Sequence, residues 1–164
     1  MKFDRSIVQA RYQSPLGSMI VAASARGLAG VWFEGQRHMP DSSAWREDAD
    51  HPMLRQACRQ LDEYFAGQRS VFDLPLDLQG GTPFQQSVWQ ALLSIPRGST
   101  TSYGQLSKSI GAPSAVRAVG AAVGRNPVSI VVPCHRVVGS NGALTGYAGG
   151  LERKTALLQL ERTA

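Results

Sequence analysis

Cys134 lies beside His135 in the run IVVPCHRVVG, residues 130–139, where β-branched apolar residues are broken by Pro133, Cys134, His135 and Arg136. A cysteine attacks as thiolate, and an ordinary thiol, with a pKa of about 8.5, is only a few per cent ionised at neutral pH. A base or cation alongside raises that fraction, so this cysteine reads as a candidate nucleophile. The plainer reading, an inert core thiol, leaves its titratable neighbours unexplained, and on local context both stand open. Cys58, the other cysteine, falls on the apolar face of a helical pattern and reads as a small buried hydrophobe. Zinc is a competing use, but Cys58, Cys134, His38, His51 and His135 offer neither a C-x-x-C nor an H-x-H pair of finger spacing, so no metal site is expected. A cysteine hydrolase working through an acyl-enzyme also stays open.

A second chemical signal is SAVRAVGAAVG, residues 114–124. Gly120 sits inside a helical pattern, where it costs roughly 1 kcal/mol against Ala. Arg117 is the one long side chain among alanines, valines and glycines. Such a slim helix could press against another macromolecule, or simply pack tightly in a core.

The elements that must carry these residues follow from periodicity and punctuation. Val8–Gln13, Ser18–Ser24 and Leu28–Phe33 read as strands, joined by Ser14-Pro15-Leu16-Gly17 and by Ala25-Arg26-Gly27. Residues 35–50 are polar and read as a loop. Asp50 is the expected cap of a helix over His51–Ala66, ended by Gly67, with Leu54, Ala57, Cys58, Leu61 and Phe65 on one face. Phe72, Leu74, Leu76 and Leu78 alternate with polar residues and Pro75, which predicts an edge strand. Gly80-Gly81 marks a boundary between residues 1–79 and 80–164. Beyond it, Thr82 and Pro83 open a helix that Pro96 stops, and Thr101/Ser102 cap Tyr103–Ile110. After Gly111-Ala112-Pro113, Ser114–Gly124 completes a helix-turn-helix. Ser140-Asn141-Gly142 is a turn, residues 145–150 are Gly-rich, and Leu151–Arg162 is a last helix with Leu157, Leu158 and Leu160 inward.

Composition narrows the class. The 164 residues suffice for a core, no stretch approaches the roughly 18 apolar residues of a membrane span, and the first residues lack the apolar segment of a secretory signal. With two cysteines no disulfide framework is expected, and the cytoplasm is the expected compartment. Net charge is +5, unevenly spread. Residues 1–79 hold nine Lys/Arg against ten Asp/Glu, and residues 80–164 hold eight against two. The excess cations of the second half suit a polyanion such as nucleic acid, or serve solubility.

PCHRV at 133–137, preceded by the RAVG helix and Asn126-Pro127 and followed by GYAGG at 146–150, closely resembles the O6-alkylguanine-DNA alkyltransferases (methylated-DNA–protein-cysteine methyltransferases). SYGQL at 102–106 fits as well. The likeness is continuous from Thr82 to Glu161 and weaker, though consistent in order and length, before that. It implies an α/β chain: a small N-terminal α/β domain, antiparallel sheet plus helix, then a C-terminal helical, winged-helix-like helix-turn-helix domain. It implies direct reversal of O6-alkylguanine, with O4-alkylthymine as a second lesion, by irreversible transfer to the protein's own cysteine without a cofactor. The partner is double-stranded DNA, approached through the minor groove with the damaged base flipped out, by a monomer for which cooperative binding along DNA is an option. By resemblance Cys134 is the acceptor, His135 takes the thiol proton through a water, Glu161 orients His135, and Asn126 braces the turn. Arg117 fills the gap left by the flipped base, Tyr103 donates to that base, and Tyr147 and Ala148 wall the pocket. Arg136 and Ala118 complete the DNA- and base-contacting set. Some relatives carry serine where this chain has Ala148, so a hydroxyl contact is lost here.

The bare residues agree with that chemistry. An alkylated O6 inside a duplex is reached only by extruding the nucleotide, at a cost of a few kcal/mol that an inserted side chain partly offsets. A thioether product offers water no acyl carbon, so each molecule acts once. Other classes remain in view. A non-catalytic lesion-binding relative would lack Cys134, and a transcription regulator would need base-reading polar residues that SAVRAVGAAVG lacks.

Overall fold

Two-residue turns at Pro15-Leu16 and Ala25-Arg26 fold the first third into an antiparallel meander: β1 (Val8–Ser14), β2 (Gly17–Ser24) and β3 (Gly27–Phe33). This computed structural model describes residues 1–163. A short parallel strand, β4 (Arg46–Glu47), joins the free edge of β1, giving the order β3-β2-β1-β4. The sequence pattern predicts only loop there. What orders it is Gln9, whose amide donates to Ser42 O and Trp45 O at 2.8 and 3.0 Å.

Both sheet faces are covered, which is why β2 and β3 read as continuous apolar runs. Val8, Tyr12, Met19, Val21, Leu28, Val31 and Phe33 face the main core. Ile7, Ile20, Ala22, Ala29 and Trp32 face the other way, under Phe3 and Trp45. Leu28 and Val31 are three apart and would point to opposite faces of a regular strand. A bulge opposite Ala22/Ala23 inserts one residue and brings both inward.

α1 (Pro52–Phe65) crosses the inner face and buries Leu54, Ala57, Gln60, Leu61 and Tyr64. Its cap is His51, whose ring Nδ1 accepts from Met53 N–H, and not the expected Asp50, which is exposed. Cys58 and Phe65 are only partly buried against the core. Residues 72–78 do not form the expected strand. Pro75 has no N–H to give, and contact with β3 reduces to two backbone hydrogen bonds, Leu28 N–H to Pro75 O and Asp77 N–H to Leu28 O. Gly27 makes even that approach possible, since a Cβ there would lie 2.5 Å from Pro75 O.

The second half is helical: α2 (Pro83–Leu92), α3 (Tyr103–Ser109), α4 (Val116–Gly124) and α5 (Leu151–Thr163). Two-residue strands β5 (Thr101–Ser102) and β6 (Val137–Val138) pair in parallel. Capping boxes at Thr82/Gln85 and Ser102/Gln105 start α2 and α3. The Trp89 indole N–H donates to Ala122 O at 2.8 Å and pins α2 to α4. The chain is therefore a two-domain α/β protein, a sheet domain followed by a helical domain.

Candidate active site

The site begins where β3 and the segment before Cys134 meet. Val31 N–H donates to Pro127 O and Ser129 N–H to Val31 O, so the edge of the N-terminal sheet grips residues 127–129. From there the expected strand-like run is a succession of turns. Val131 N–H returns to Ser129 O at 2.8 Å, closing a γ-turn around Ile130 at φ 72°, a strained region for a β-branched residue. Cys134 N–H returns to Val132 O at 2.8 Å around Pro133 at φ −83°, ψ 63°, the relaxed inverse form that proline's ring favours. Asn126 spans the bend, accepting from Val128 N–H at 2.9 Å and donating to Val132 O at 2.8 Å. Cys134–Arg136 then form one 3₁₀ turn leading into β6.

Behind Cys134 lies a buried polar chain. His135 Nε2 is 2.7 Å from Glu161 Oε2 on α5. Arg136 donates to the same carboxylate, Nε to Oε1 at 2.8 Å and Nη2 to Oε2 at 2.9 Å, and also to Ile95 O. Tyr64 of α1 adds its hydroxyl to Oε2 at 2.6 Å. Burial alone would raise the Glu161 pKa, but the hydrogen bonds from His135, Arg136 and Tyr64 outweigh it and hold the carboxyl far below its usual range. An ionised Glu161 assigns the ring proton of His135 to Nε2. Burial lowers the pKa of His135 against the pull of Glu161, so the ring is neutral, and its Nδ1 has no hydrogen-bond partner within the protein. That nitrogen is a free base, held inside the protein on the residue that follows the cysteine.

The thiol itself rests protonated. Burial pushes the Cys134 pKa up to about 11, while the Asn126 side chain, the Lys154 charge and the backbone pull the other way. Lys154 lies on the inward stripe of α5 with Leu157, Leu158 and Glu161. Its ammonium donates to Val137 O, Thr145 O and Gly146 O at 2.6, 3.0 and 3.1 Å, fastening the Gly-rich loop to the strand that follows Cys134.

In front of Cys134 opens a cavity of about 290 Å³ lined by Tyr103, Gly120, Tyr147 and Ala148 from the helical half and by Arg37 and His38 from the sheet half. Arg37 N–H donates to Ala148 O at 3.1 Å, closing the rim. The Tyr103 hydroxyl donates to Thr145 O at a long 3.3 Å. α4 turns Val119, Ala122 and Val123 inward and leaves Arg117, Ala118 and Ala121 exposed. A Cβ on Gly120 would meet only the Tyr103 ring at an ordinary 3.8 Å, so core packing does not require the glycine.

The expected residues Cys134, His135, Asn126 and Glu161 thus meet on one side, and Tyr103, Tyr147 and Ala148 on the other, with Arg117 and Ala118 on the outer surface nearby. Arg136 is a correction: expected among the DNA-contacting residues, it is buried, and its guanidinium is committed to Glu161 and Ile95 O. With Arg136 and Lys154 both internal, the outward cations of this half reduce mainly to Lys108, Arg117, Arg125 and Arg162. Sequence reasoning passed over Arg37, Lys154 and Tyr64, and weighed His38 only as a zinc ligand. For Tyr64 and Lys154 a signal existed, since each sits three residues from an inward leucine on its own helix. Arg37 and His38 stand in a polar loop with no such signal. Among the described residues, no three His, Cys, Asp or Glu side chains gather to hold a metal ion, and no helix is long and apolar enough to cross a membrane.

Residues 7–78 match the family 6-O-methylguanine DNA methyltransferase, ribonuclease-like domain, and residues 83–163 match 6-O-methylguanine DNA methyltransferase, DNA binding domain. The chain is 49% identical over 150 residues to the methylated-DNA–protein-cysteine methyltransferase of Mycobacterium tuberculosis, covering 92% of this chain and 89% of that one. It is 48% identical over 151 residues to the enzyme of the same name from Methanosarcina acetivorans, covering 92% and 95%. Among solved structures, Mycobacterium tuberculosis OGT in complex with DNA superposes with a TM-score of 0.86 at 46% identity, over 96% of this chain and 92% of that one.

Proposed function

Since the chain belongs to the 6-O-methylguanine DNA methyltransferase family, we propose that it repairs DNA by direct reversal, moving the alkyl group of O6-alkylguanine in duplex DNA onto its own Cys134. One observation carries the reading: a buried thiol opens into a base-sized cavity, and the residue after it is a buried histidine with one ring nitrogen unpartnered and the other held by a carboxylate.

The step is an in-line displacement. The Cys134 sulfur forms a bond to the alkyl carbon as the bond from that carbon to O6 breaks, and the electron pair leaves on the guanine. Because the resting thiol holds its proton, attack is coupled to loss of that proton, through a water, to His135 Nδ1. Glu161 stabilises the resulting imidazolium, and Arg136 keeps Glu161 ionised. The guanine leaves with a charge that the Tyr103 O–H stabilises by hydrogen bonding, a donor held only loosely by Thr145 O and so free to turn. The backbone at Ala148 walls the base. Asn126 and Lys154 hold the turn and the loop against which the base rests. The product is a thioether and the acceptor is consumed.

DNA approaches along the outer face of α4 in the minor groove, where the small exposed residues Ala118 and Ala121 let the helix close in and Arg117 enters the stack as the base leaves it. Contacts from exposed Lys108, Arg117 and Arg125 to phosphates make binding salt-dependent and independent of sequence. O4-alkylthymine, also a ring-bound alkyl ether, is the second substrate. The site is built wholly from one chain, so the monomer is the acting unit, and the cytoplasm is its compartment. We place the division between the halves at Gly80-Gly81, supported by the gap between the two family matches. A non-catalytic lesion binder is not favoured, because a buried cysteine stands at the floor of the cavity.

Incubation with a duplex containing O6-methylguanine should add one methyl mass to the peptide carrying Cys134, with no more than one transfer per molecule. An unmodified chain, or repeated turnover, overturns the reading.

A further inference from the structure

Glu161 holds more donors than orientation of one histidine requires, and one of them comes from the opposite half of the chain. Three donors converge on Oε2: His135 Nε2 at 2.7 Å, Arg136 Nη2 at 2.9 Å and Tyr64 O–H at 2.6 Å, while Oε1 takes Arg136 Nε at 2.8 Å. Tyr64 lies in the last turn of α1, 97 positions from Glu161. Its ring is fully buried, edge-on to Phe65, tilted against Phe72, and covered by the Arg97 guanidinium 4.9 Å from the centroid. Arg97 is in turn fixed by donating to Arg69 O and Leu160 O. The ring is thus set by packing from both halves, and its hydroxyl points at the very oxygen that His135 uses.

We propose that Tyr64 is a positioning residue for the transfer reaction: its hydroxyl fixes Glu161 and limits how strongly that carboxylate attracts the proton of His135. The inference rests on the functional reading above, in which His135 receives the thiol proton. Donors on one oxygen compete, because each withdraws charge that the others would otherwise feel. The groups facing this cluster are Glu161 and Lys154 from α5, Arg136 and Cys134 from the acceptor turn, Arg97 from the segment after α2, Tyr147 from the Gly-rich loop, and Tyr64 itself. Arg136 and Lys154 lower the proton affinity of His135 along with its burial, and Glu161 alone raises it. Removing the Tyr64 hydroxyl leaves Oε2 one donor poorer. Its charge then falls more fully on His135, the imidazolium is favoured, and the base is filled by solvent protons at higher pH. The sheet domain therefore tunes the base in addition to gripping residues 127–129.

Tyr64→Phe keeps the ring, its packing and the Arg97 stack. Tyr12→Phe is the control: Tyr12 also lies under α1 and donates its hydroxyl to Asp62 at 2.8 Å, with no link to Glu161. Single-turnover methyl transfer from an O6-methylguanine duplex is followed against pH for wild type and both variants, together with duplex affinity and thermal midpoint. Tyr64→Phe should move the acid limb of the rate profile upward by roughly half to one pH unit, with duplex affinity unchanged. Tyr12→Phe should leave that limb in place. An unshifted limb in Tyr64→Phe, a uniform loss of rate without a shift, or an equal shift in Tyr12→Phe overturns the inference. Wild-type protein that transfers no methyl group overturns the functional reading instead.

Discussion

Cys58 on α1 and Cys134 at the acceptor turn are both raised in pKa by burial, yet their surroundings push in opposite directions. At Cys58 the nearby charge is Asp62, which raises the thiol further, and the side chain rests half-buried against the core. At Cys134 the Asn126 side chain, Lys154 and the backbone pull the thiol down, His135 follows in the chain, and a cavity opens on the sulfur. Desolvation of a thiolate is a cost common to both. What separates them is where the proton can go and what charge awaits the sulfur once it has gone. Burial by itself makes a thiol quiet, whereas burial beside a locked base makes one that ionises only when its proton can be passed on.

The sharpest test of this contrast is to remove each sulfur in turn. Cys134→Ala should abolish methyl transfer while retaining duplex binding, and Cys58→Ala should keep the transfer rate within about twofold, since the half-buried thiol there acts as a small apolar group; intact-mass measurement after exposure to lesion-bearing DNA reads both. The reverse outcome would exchange the roles assigned to the two cysteines. Next in size is Lys154→Met, which strands three carbonyls that the ammonium serves. A stability loss of roughly 2–4 kcal/mol is expected by chemical denaturation, with slowed transfer. The same replacement has no counterpart around Cys58.

Access supplies a third test. Arg117→Ala should slow transfer from duplex by about tenfold while leaving transfer from free O6-alkylated guanine unchanged, as expected if the residue offsets part of the few kcal/mol of base extrusion. Equal slowing on both substrates would move Arg117 from the groove into the chemistry.

The smallest effect concerns acid. His135 is lowered from its ordinary 6.5 in the folded chain, so below that pH the unfolded ring takes up a proton first and stability falls. Glu161 is also lowered, from 4.5, so its contribution is complete above that value and lost as pH falls below it. Thermal midpoints should therefore decline in two stages on acidification. His135→Asn should shrink the upper stage to the part that His38, also lowered by burial and by Arg125 and Arg37, contributes, and Cys58→Ala should leave both.

Much of the fold was legible. The three strands, α1 and the helix-turn-helix follow from apolar period, Gly and Pro punctuation and capping residues, all local signals. The losses occurred where a distant partner decides. Arg46–Glu47 becomes a strand because Gln9, on another strand, holds the loop, and residues 72–78 fail to become one because Pro75 cannot donate. At the site, the residues carried by contiguous motifs were legible and those supplied by the other half were not. The resemblance placed Arg136 among the DNA contacts, and only the fold reveals the carboxylate 25 positions away that holds it inside. Conversely, Lys154 and Tyr64 stood on inward helical stripes, and a charged or hydroxyl-bearing residue on such a stripe was itself a clue to a buried partner.

Ile130 brings a last consequence. Its backbone conformation carries a penalty on the order of 1–3 kcal/mol, while its side chain, 1% exposed, contributes a comparable 1.5–3 kcal/mol or so by burial. Glycine would relieve the first and forfeit the second, and leucine would keep the second while relieving only the part of the first that β-branching adds. At position 130 the two effects nearly cancel, and laboratory evolution for thermostability should climb elsewhere in this chain before it alters that corner.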